Sequence, residues 1–390
     1  MRATIYGQFI AGEQDIEILR LAEHNKRFGV GSMFAYTAAE MHGSAEGSVG
    51  DTGYKRSFFQ RNFDGMYHSI SIAARCDRIE GLVPTVTTKF TFLLPADVIR
   101  RTNEVIESNT AVLTNLLSSP TGGENKAAIF QALEQIGKMA ANSDYTGEFA
   151  EIPLRSPVDT DESRLLTLTN NLAFHLQLSR NTEMKTLAKD RRFSTLGKDD
   201  YKEIKKLWSQ MNQLAEHARA SHVMLGWDAE QTYLQTAIGV LVLDSMRVFN
   251  SERPVVQNTY QCYLKRTYDV ISRDLEISEK EGFCFAAKVV RGAYLDEERR
   301  LAEQNGDVDP VNPDYDATTA SYQRVANRLL DDIQRRSRGT VHVTFATHNE
   351  DTVRFVVDTM EKRGISAKGD VMTFAQLLGM RDHIAFTLGE

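Results

Sequence analysis

The sequence contains few cysteines and no segment long enough to cross a membrane as a helix. The three cysteines, Cys76, Cys262 and Cys284, are scattered, and none belongs to a Cys-x-x-Cys pair. Their number and spacing predict neither a disulfide framework nor a zinc site, and they fit a reducing compartment. No apolar run approaches the roughly 18 residues that a transmembrane helix needs. The N-terminal residues carry no signal or transit pattern, so we expect either no targeting segment or a chain that begins after one.

Several common ligand-binding motifs are also absent from the sequence. No Gly-x-Gly-x-x-Gly motif opens a strand-to-helix turn, which argues against a Rossmann-type dinucleotide site. Neither a Walker loop nor a His-Glu-x-x-His motif occurs, and we expect no bound metal. The formal net charge of −7 argues against a broad nucleic-acid-binding surface, so nucleic acid is not an expected partner.

The composition, 42% hydrophobic and 25% charged residues, is ordinary for a soluble protein. Along the chain, short apolar runs alternate with helix-type patterns. This order predicts parallel strands with helical crossovers. We count seven strands, near positions 30, 85, 222, 255, 285, 342 and 371. The pattern favours an α/β barrel of the (βα)8 TIM type with seven strands visible, and the eighth unit is expected where the chain stops at Glu390. An open doubly wound sheet is the alternative.

The chain divides into three predicted regions. Residues 1–95 hold N-terminal helices and the first two barrel strands, and residues 221–390 hold the remaining βα units. Residues 96–220 show helix-type spacing and no convincing strand, so we interpret them as a mainly structural helical insertion. The helical patterns of this insertion cover residues 97–118, 124–141, 161–178 and 199–220. Earlier in the chain, 38–56 is predicted to be a loop, Phe58 to Arg78 a helix, and Val83 to Leu93 a strand containing Lys89.

Polar side chains recur at or just past the carboxyl end of the predicted strands. They are Lys89, Asp228, Gln261, Lys288, Arg291, His348 and Asn349. In an α/β barrel this end faces the active site, so several such positions on one rim favour a site. Each has a simpler structural alternative, because a lone His at a strand end is often only hydrogen-bonded and Asp228 has the position of a helix N-cap.

The charges on this rim indicate the kind of ligand. Lys288, Arg291 and His348 predict an anionic ligand such as a phosphorylated cofactor. Lys89 and Asp228 are predicted either to pair with each other in a buried ion pair or to face a zwitterionic substrate. From the residues alone, the sequence predicts a barrel enzyme with a phosphate-bearing ligand and does not identify the reaction.

Several of the rim residues lie in stretches that resemble the proline dehydrogenase family, most closely its single-function eukaryotic type. The resemblance covers most of the chain in order. The matching stretches are Tyr6-Gly-Gln-Phe-Ile-Ala-Gly-Glu, Asp228-Ala-Glu-Gln-Thr-Tyr, Asn258-Thr-Tyr-Gln-Cys-Tyr-Leu-Lys, Lys288-Val-Val-Arg-Gly-Ala-Tyr, Ala346-Thr-His-Asn-Glu-Asp-Thr-Val and Gln376-Leu-Leu-Gly-Met.

The resemblance implies a distorted (βα)8 barrel with non-covalently bound FAD that oxidises L-proline to Δ1-pyrroline-5-carboxylate and passes electrons to a quinone. It also implies a mitochondrial location and a possible association with the inner membrane. By match to the family motifs, Lys288 is expected under the flavin ring near N5. The other expected cofactor contacts are Arg291, Gly292, Gln261, Thr318, His348 and Asn349. The residues expected to line the proline pocket are Lys89, Asp228, Tyr294 and Leu377.

Two departures from the family pattern leave alternatives open. At the end of the first strand Ala35 stands where the family usually has an Asp. The family's eighth strand and last helix, which grip the substrate carboxylate through a Tyr and paired Arg residues, do not occur by Glu390, and we therefore expect weak proline binding. The alternatives to proline dehydrogenase are a hydroxyproline dehydrogenase, which shares these motifs, and a shortened inactive relative with a binding or regulatory role.

Overall fold

In the part of the chain that the structure describes, seven parallel strands form one sheet in which the strands follow each other in chain order. The computed structural model describes residues 7–37, 52–76, 79–118, 194, 196–366 and 371–390. The strands are β1 Met33–Ala35, β2 Thr85–Thr88, β3 Met224–Trp227, β4 Val256–Gln261, β5 Phe285–Val290, β6 Val341–Ala346 and β7 Met372–Ala375. Each strand pairs with the next one in parallel register.

Helices precede, connect and follow these strands. They are α1 Gly7–Phe9, α2 Asp15–Lys26, α3 Thr52–Arg75, α4 Ala96–Ser118, α5 Lys198–Ala220, α6 Thr232–Phe249, α7 Thr267–Glu281, α8 Leu295–Asn305, α9 Tyr315–Arg335, α10 Glu350–Arg363 and α11 Asp382–Gly389. This is the repeated strand-helix order of an α/β barrel, and it confirms the predicted fold class with its seven visible strands. The alternative of a doubly wound sheet is wrong, because in that fold the strand order reverses at a switch point.

The two faces of the sheet have different chemistry. Toward the helices, alternate strand residues such as Phe285, Val289 and Phe345 are buried in the main hydrophobic core. On the opposite face, the Gln257 Nε2 atom on β4 donates to Thr344 Oγ1 on β6 at 3.0 Å, across the intervening strand β5. Such a contact between non-adjacent strands is possible only on the concave side of a curved sheet. The interior of the barrel is therefore lined by hydrogen-bonding side chains.

Two element boundaries differ from the sequence prediction. Helix α3 begins at Thr52, inside the segment predicted to be a loop, whereas residues 38–51 lie outside the described residues. Strand β2 ends at Thr88, so Lys89 is not inside the strand but precedes a 3-10 turn over Phe90–Phe92. The turn brings the Phe90 ring to 4.5 Å from that of Trp227 in the outer core. Burial of this aromatic pair favours the turn over a continued strand.

The described ends of the predicted insertion are two barrel-packed helices. Helix α4 packs along α6, where the Asn103 side chain accepts a hydrogen bond from the Ala237 amide at 3.0 Å. Helix α5 packs against β3 and α6. The predicted helical segments 124–141 and 161–178 lie outside the described residues. The division of the chain into 1–95, 96–220 and 221–390 stays a prediction.

The N-terminal and C-terminal segments of the described chain contact each other. The Phe28 and Phe386 rings meet edge to face with centroids 5.3 Å apart, and Gln8 donates from Nε2 to the Gly379 carbonyl at 3.1 Å. These contacts place α1 and α2 beside α11. None of the helices in the described ranges combines the length and the apolar character needed to traverse a bilayer.

Candidate active site

The centre of the candidate site is a buried ion pair between strands. Lys288 lies near the end of β5 and is 8% exposed, and Asp228 directly follows β3. The Lys288 Nζ atom donates to Asp228 Oδ1. Lys288 is flanked in register by Thr259 on β4 and Thr344 on β6, so its side chain belongs to the polar inner face. Of the two alternatives for Lys89 and Asp228, the described contacts do not contain the direct ion pair, because Lys288 reaches this carboxylate from within the sheet. Asp228 acts on Lys89 only as one of the charges that raise its pKa.

Asp228 is also not a helix cap. Helix α6 begins at Thr232 with Gln231 in the cap position, three residues beyond Asp228. The Asp228 backbone N–H donates to the Thr88 carbonyl at 2.8 Å and thereby continues the β2–β3 pairing. The strand pairing thus holds the carboxylate toward Lys288, and the simpler structural alternative does not apply.

Lys89, which follows β2, and Tyr294, which follows the turn after β5, face each other at the rim. The Lys89 Nζ atom lies 6.0 Å from the centroid of the Tyr294 ring. Burial lowers the pKa of Lys89, but Tyr294, Glu230 and Asp228 together outweigh this effect, so its pKa is raised above the usual value. Burial also raises the pKa of Tyr294. At neutral pH the pair therefore consists of a protonated amine and a neutral phenol.

Arg291 and Gly292 form a tight turn after β5. The Arg291 guanidinium carbon lies 4.2 Å from the Tyr315 ring centroid, and Nη2 donates to the Thr319 hydroxyl at 3.0 Å. The Arg291 Nη1 atom is buried and has no hydrogen-bond partner among the described residues. Gly292 has φ +138°, and a Cβ here would lie 1.5 Å from Tyr263 Cδ1, so only glycine fits this position.

Gln261 links the end of β4 to two neighbouring loops. Its side chain is buried, donating from Nε2 to the Glu230 carbonyl at 2.9 Å and accepting at Oε1 from the Ala293 amide at 3.3 Å. Thr318 is also buried, in the first turn of α9, where its hydroxyl donates to the Asp314 carbonyl at 3.1 Å. Both predicted cofactor residues therefore lie in ordered positions fixed by main-chain contacts.

His348, Asn349 and Leu377 lie on the opposite part of the rim. The His348 Nε2 atom accepts a hydrogen bond from the Leu377 N–H at 2.9 Å. Burial lowers the pKa of His348, and Arg381 lowers it further. Asn349 caps α10 by accepting from the Thr352 amide at 2.7 Å, and its Nδ2 atom donates to the Tyr315 hydroxyl. Leu377 is 64% exposed. These contacts give His348 and Asn349 structural roles. The parts of the two side chains that make no such contact lie at the rim.

Other buried polar atoms of the inner face lack hydrogen-bond partners in the described part of the chain. Among them are Thr259 Oγ1, beside Lys288 in the sheet, and Gln257 Oε1. Buried polar groups are nearly always hydrogen-bonded in native proteins. The concentration of such atoms near Lys288 and Arg291 indicates that this end of the barrel accepts a polar ligand. In the same described residues no group of three or more His, Cys, Asp or Glu is arranged to hold a metal ion.

A parallel α/β barrel with cations, a carboxylate and unpaired polar atoms at the carboxyl ends of its strands has the architecture of a barrel enzyme. The profile of the proline dehydrogenase family matches residues 103–390. The chain belongs to this family, which makes it an oxidoreductase of proline catabolism. The match includes every strand from β3 to β7 and the rim residues they carry.

Individual relatives agree with this assignment. The chain is 32% identical over 440 aligned residues to human mitochondrial proline dehydrogenase 1, covering all of this chain and 72% of the relative. It is 40% identical over 200 residues to human hydroxyproline dehydrogenase, covering 50% of this chain and 43% of that one. The solved structure of proline utilization A from Bdellovibrio bacteriovorus aligns with a TM-score of 0.59 at 15% identity over 98% of this chain. That alignment spans 29% of the larger protein and supports the fold alone.

Sequence analysis missed several residues that shape the rim. Glu230 is 3% exposed and two residues past Asp228, and Tyr263 and Tyr315 contact Gly292 and Arg291 from neighbouring loops. The available signal was weak. Glu230 falls in the Asp228-Ala-Glu stretch, but nothing in the sequence distinguishes a buried acid there from a solvated one.

Proposed function

We propose that the barrel mouth binds FAD and oxidises L-proline to Δ1-pyrroline-5-carboxylate. The observation that carries the proposal is the incompletely paired cationic end of β5. Lys288 has one acidic partner, Asp228, and the buried Arg291 Nη1 has none among the described residues. The reaction is proposed from family membership, and Lys288 and Arg291 at this end of the barrel are groups that suit it.

The residues of this chain fit a flavin dinucleotide. Pyrophosphate and the electron-rich flavin ring require cations and hydrogen-bond donors, which Lys288 and Arg291 provide. At Gly292 the backbone lies directly against the Tyr263 ring, so the turn after Arg291 has room for no side chain at this position. We assign the remaining cofactor contacts to Gln261, Thr318, His348 and Asn349. When bound, FAD supplies the acceptor for a hydride from the substrate carbon next to the ring nitrogen.

The substrate pocket is assigned to four side chains beside this region. They are Lys89, Asp228, Tyr294 and Leu377. Lys89 keeps its proton at neutral pH and attracts the substrate carboxylate toward the pocket. Asp228 is held by Lys288 and balances the positive charge that develops on the substrate nitrogen as the hydride leaves. Tyr294 and the exposed Leu377 offer packing surfaces for the five-membered ring. We expect positioning rather than a dedicated base to supply most of the rate enhancement.

Oxidation of 4-hydroxyproline is the second candidate function. The observation that favours it is the 40% identity to human hydroxyproline dehydrogenase over 200 residues. The two substrates differ by one ring hydroxyl. A pocket with a hydrogen-bonding partner for that hydroxyl discriminates strongly, whereas an apolar pocket does not.

A quinone is the electron acceptor we propose, with the mitochondrial inner membrane as the location. Two observations support this part of the proposal. Relatives in this family are named as mitochondrial proteins. The Gln8–Gly379 contact brings together two short segments that carry large exposed apolar side chains beside the rim. These side chains are Phe9, Ile10, Leu377 and Met380.

The test is a comparison of initial rates with L-proline and trans-4-hydroxy-L-proline at matched concentrations, with a soluble quinone analogue as acceptor. A higher kcat/KM with L-proline supports the proposed reaction. A higher value with hydroxyproline replaces it with the second candidate. No turnover of either substrate by a flavin-containing preparation would overturn both.

A further inference from the structure

A buried carboxylate outside the assigned contacts connects the loops that carry Lys89 and Tyr294. The carboxylate of Glu230 accepts two hydrogen bonds from Thr91, from the backbone N–H at 3.1 Å and from the hydroxyl at 2.7 Å. Thr91 belongs to the 3-10 turn of residues 90–92, and Lys89 is the cap of that turn. Glu230 therefore fixes the turn that determines where the Lys89 side chain starts.

The same residue is tied to the loop after β5. The Glu230 carbonyl accepts from Gln261 Nε2 at 2.9 Å, and Gln261 Oε1 accepts from the Ala293 N–H at 3.3 Å. Ala293 lies between Gly292 and Tyr294. One continuous hydrogen-bonded chain thus runs from the turn after β2, through the loop after β3 and the end of β4, to the turn after β5.

We propose that Glu230 is a positioning residue, whose carboxylate sets the placement of Lys89 through Thr91, while its backbone carbonyl joins the same loop through Gln261 to the turn that precedes Tyr294. The inference rests on the proposed function, because it assigns Lys89 and Tyr294 to the substrate pocket. It identifies a role for a residue that does not itself line that pocket.

A carboxylate suits this role better than an amide would. Both of its oxygens accept hydrogen bonds from Thr91, whereas a glutamine side chain has only one acceptor oxygen. Burial raises the pKa of Glu230, and the donors on Thr91 together with Lys89 oppose that rise. In return, Glu230 is among the groups that keep Lys89 protonated.

The chain contains a matched control with the same local chemistry. Glu298 is 2% exposed and accepts from the Thr232 N–H at 2.7 Å and the Thr232 hydroxyl at 2.5 Å. It ties α8 to the start of α6, and it is not among the groups that shift the pKa of Lys89. Glu298→Gln therefore removes an equivalent buried hydrogen bond without altering the Lys89 turn.

The experiment compares Glu230→Gln with Glu298→Gln in the full chain with its flavin. Anaerobic flavin bleaching against L-proline concentration separates apparent substrate affinity from the limiting rate, and hydrogen exchange reports on the 85–94 segment. For Glu230→Gln we expect the half-saturating proline concentration to rise about tenfold, since a hydrogen bond to a charged group is lost. We also expect faster amide exchange in that segment. Glu298→Gln should show neither change.

Two further variants keep the test decisive if Glu230→Gln folds poorly. Thr91→Val replaces the hydroxyl with a methyl group and should raise the half-saturating proline concentration, but by less than Glu230→Gln does. Thr91→Ser keeps the hydroxyl and should leave this concentration close to the wild-type value. Equal effects of Glu230→Gln and Glu298→Gln on proline dependence, or unchanged exchange in 85–94, would overturn the positioning role. Wild-type flavin that L-proline fails to bleach would instead contradict the proposed function.

Discussion

Two buried cations in this protein have different sets of partners. Arg247 lies on α6 and binds Asp244 on the same helix and Glu281 at the end of α7, the latter through Nε at 2.6 Å and Nη2 at 3.0 Å. Lys288 on the inner face of the sheet has one acidic partner, Asp228, and its neighbour in register, Thr259, has a hydroxyl unpaired by any described residue. The difference suggests that the Arg247 cluster completes the folded protein, whereas the Lys288 cluster is completed by a ligand.

The same contrast applies to the two faces of the sheet. The outer face packs apolar side chains against helices, and the Tyr260 hydroxyl there donates to Asp274 on α7 at 2.9 Å. The inner face instead carries Gln257, Thr259 and Thr344 where barrels usually place branched apolar residues. Such a polar interior is stable only when its groups are hydrogen-bonded, which ties the inner face to ligand binding.

The largest expected effect is on stability, from breaking the outer cluster. Arg247→Met leaves two carboxylates without their cation in a buried region, and we expect the free energy of unfolding to fall by about 3–5 kcal/mol. Urea denaturation followed by circular dichroism measures this. Arg27→Met is the control, because its ion pair with Glu23 is exposed and should contribute less than about 1 kcal/mol. A loss from Arg247→Met no larger than the control would contradict the structural role.

The second prediction concerns the inner cation. Lys288→Met should lower the rate of flavin reduction by L-proline about 100-fold, the scale expected when a charge-stabilising donor is removed from an active site. Its stability loss should be smaller than that of Arg247→Met, because the Asp228 side chain left behind is 25% exposed and keeps contact with water. Stopped-flow absorbance and denaturation measure the two effects. If the flavin of Lys288→Met were reduced at the normal rate, Lys288 would have only a structural role, as Arg247 does.

The third prediction compares a threonine whose hydroxyl has a buried partner with one whose hydroxyl has none among the described residues. Thr232→Val should destabilise the protein by about 1.5–3 kcal/mol, because its hydroxyl donates to the buried Glu298 carboxylate. Thr259→Val should leave stability unchanged or slightly increased in the absence of FAD, since the hydroxyl that it removes has no partner in the described part of the chain. Thermal unfolding of the two flavin-free variants checks this. Equal losses would remove the distinction between partnered buried hydroxyls and those that await a ligand.

The smallest expected effect is a pH dependence at the rim. The neutral His348 ring accepts the Leu377 N–H, and its pKa in the folded protein lies below the ordinary value of 6.5 because of burial and Arg381. The unfolded chain therefore binds the proton first, and stability falls as pH decreases below 6.5 through the folded pKa. We expect a loss of about 1 kcal/mol or less. His348→Gln retains an acceptor at every pH and should abolish this component of the profile.

The sequence predicted the barrel and most of the rim because both depend on local patterns. The apolar runs identified the strands, and parallel pairing brings their carboxyl ends to one edge, so Lys288, Gln261 and His348 were expected there. Side-chain pairing was predicted less well. A Lys89–Asp228 ion pair was one of two alternatives, but Lys89 follows β2 at the start of a 3-10 turn and lies beside Tyr294, and Lys288 binds the Asp228 carboxylate.

The residues that the sequence did not reveal are those whose role depends on a neighbour distant in the chain. Tyr263 matters because Gly292 approaches its ring, and Tyr315 matters because Arg291 stacks on it. Glu230 depends on Thr91, which is 139 residues away in sequence. Periodicity and spacing carry no information about such contacts, so only the fold can assign them.

The most direct test of the account is the visible absorbance spectrum of the purified chain, recorded before and after anaerobic addition of L-proline. If the inner face binds FAD and the rim orients the substrate, the spectrum will show flavin bands that bleach with proline in wild type and in Glu298→Gln, and far more slowly in Lys288→Met. Flavin bands that persist with proline, or bleach equally in Lys288→Met, would contradict the assignment of this rim as the active site.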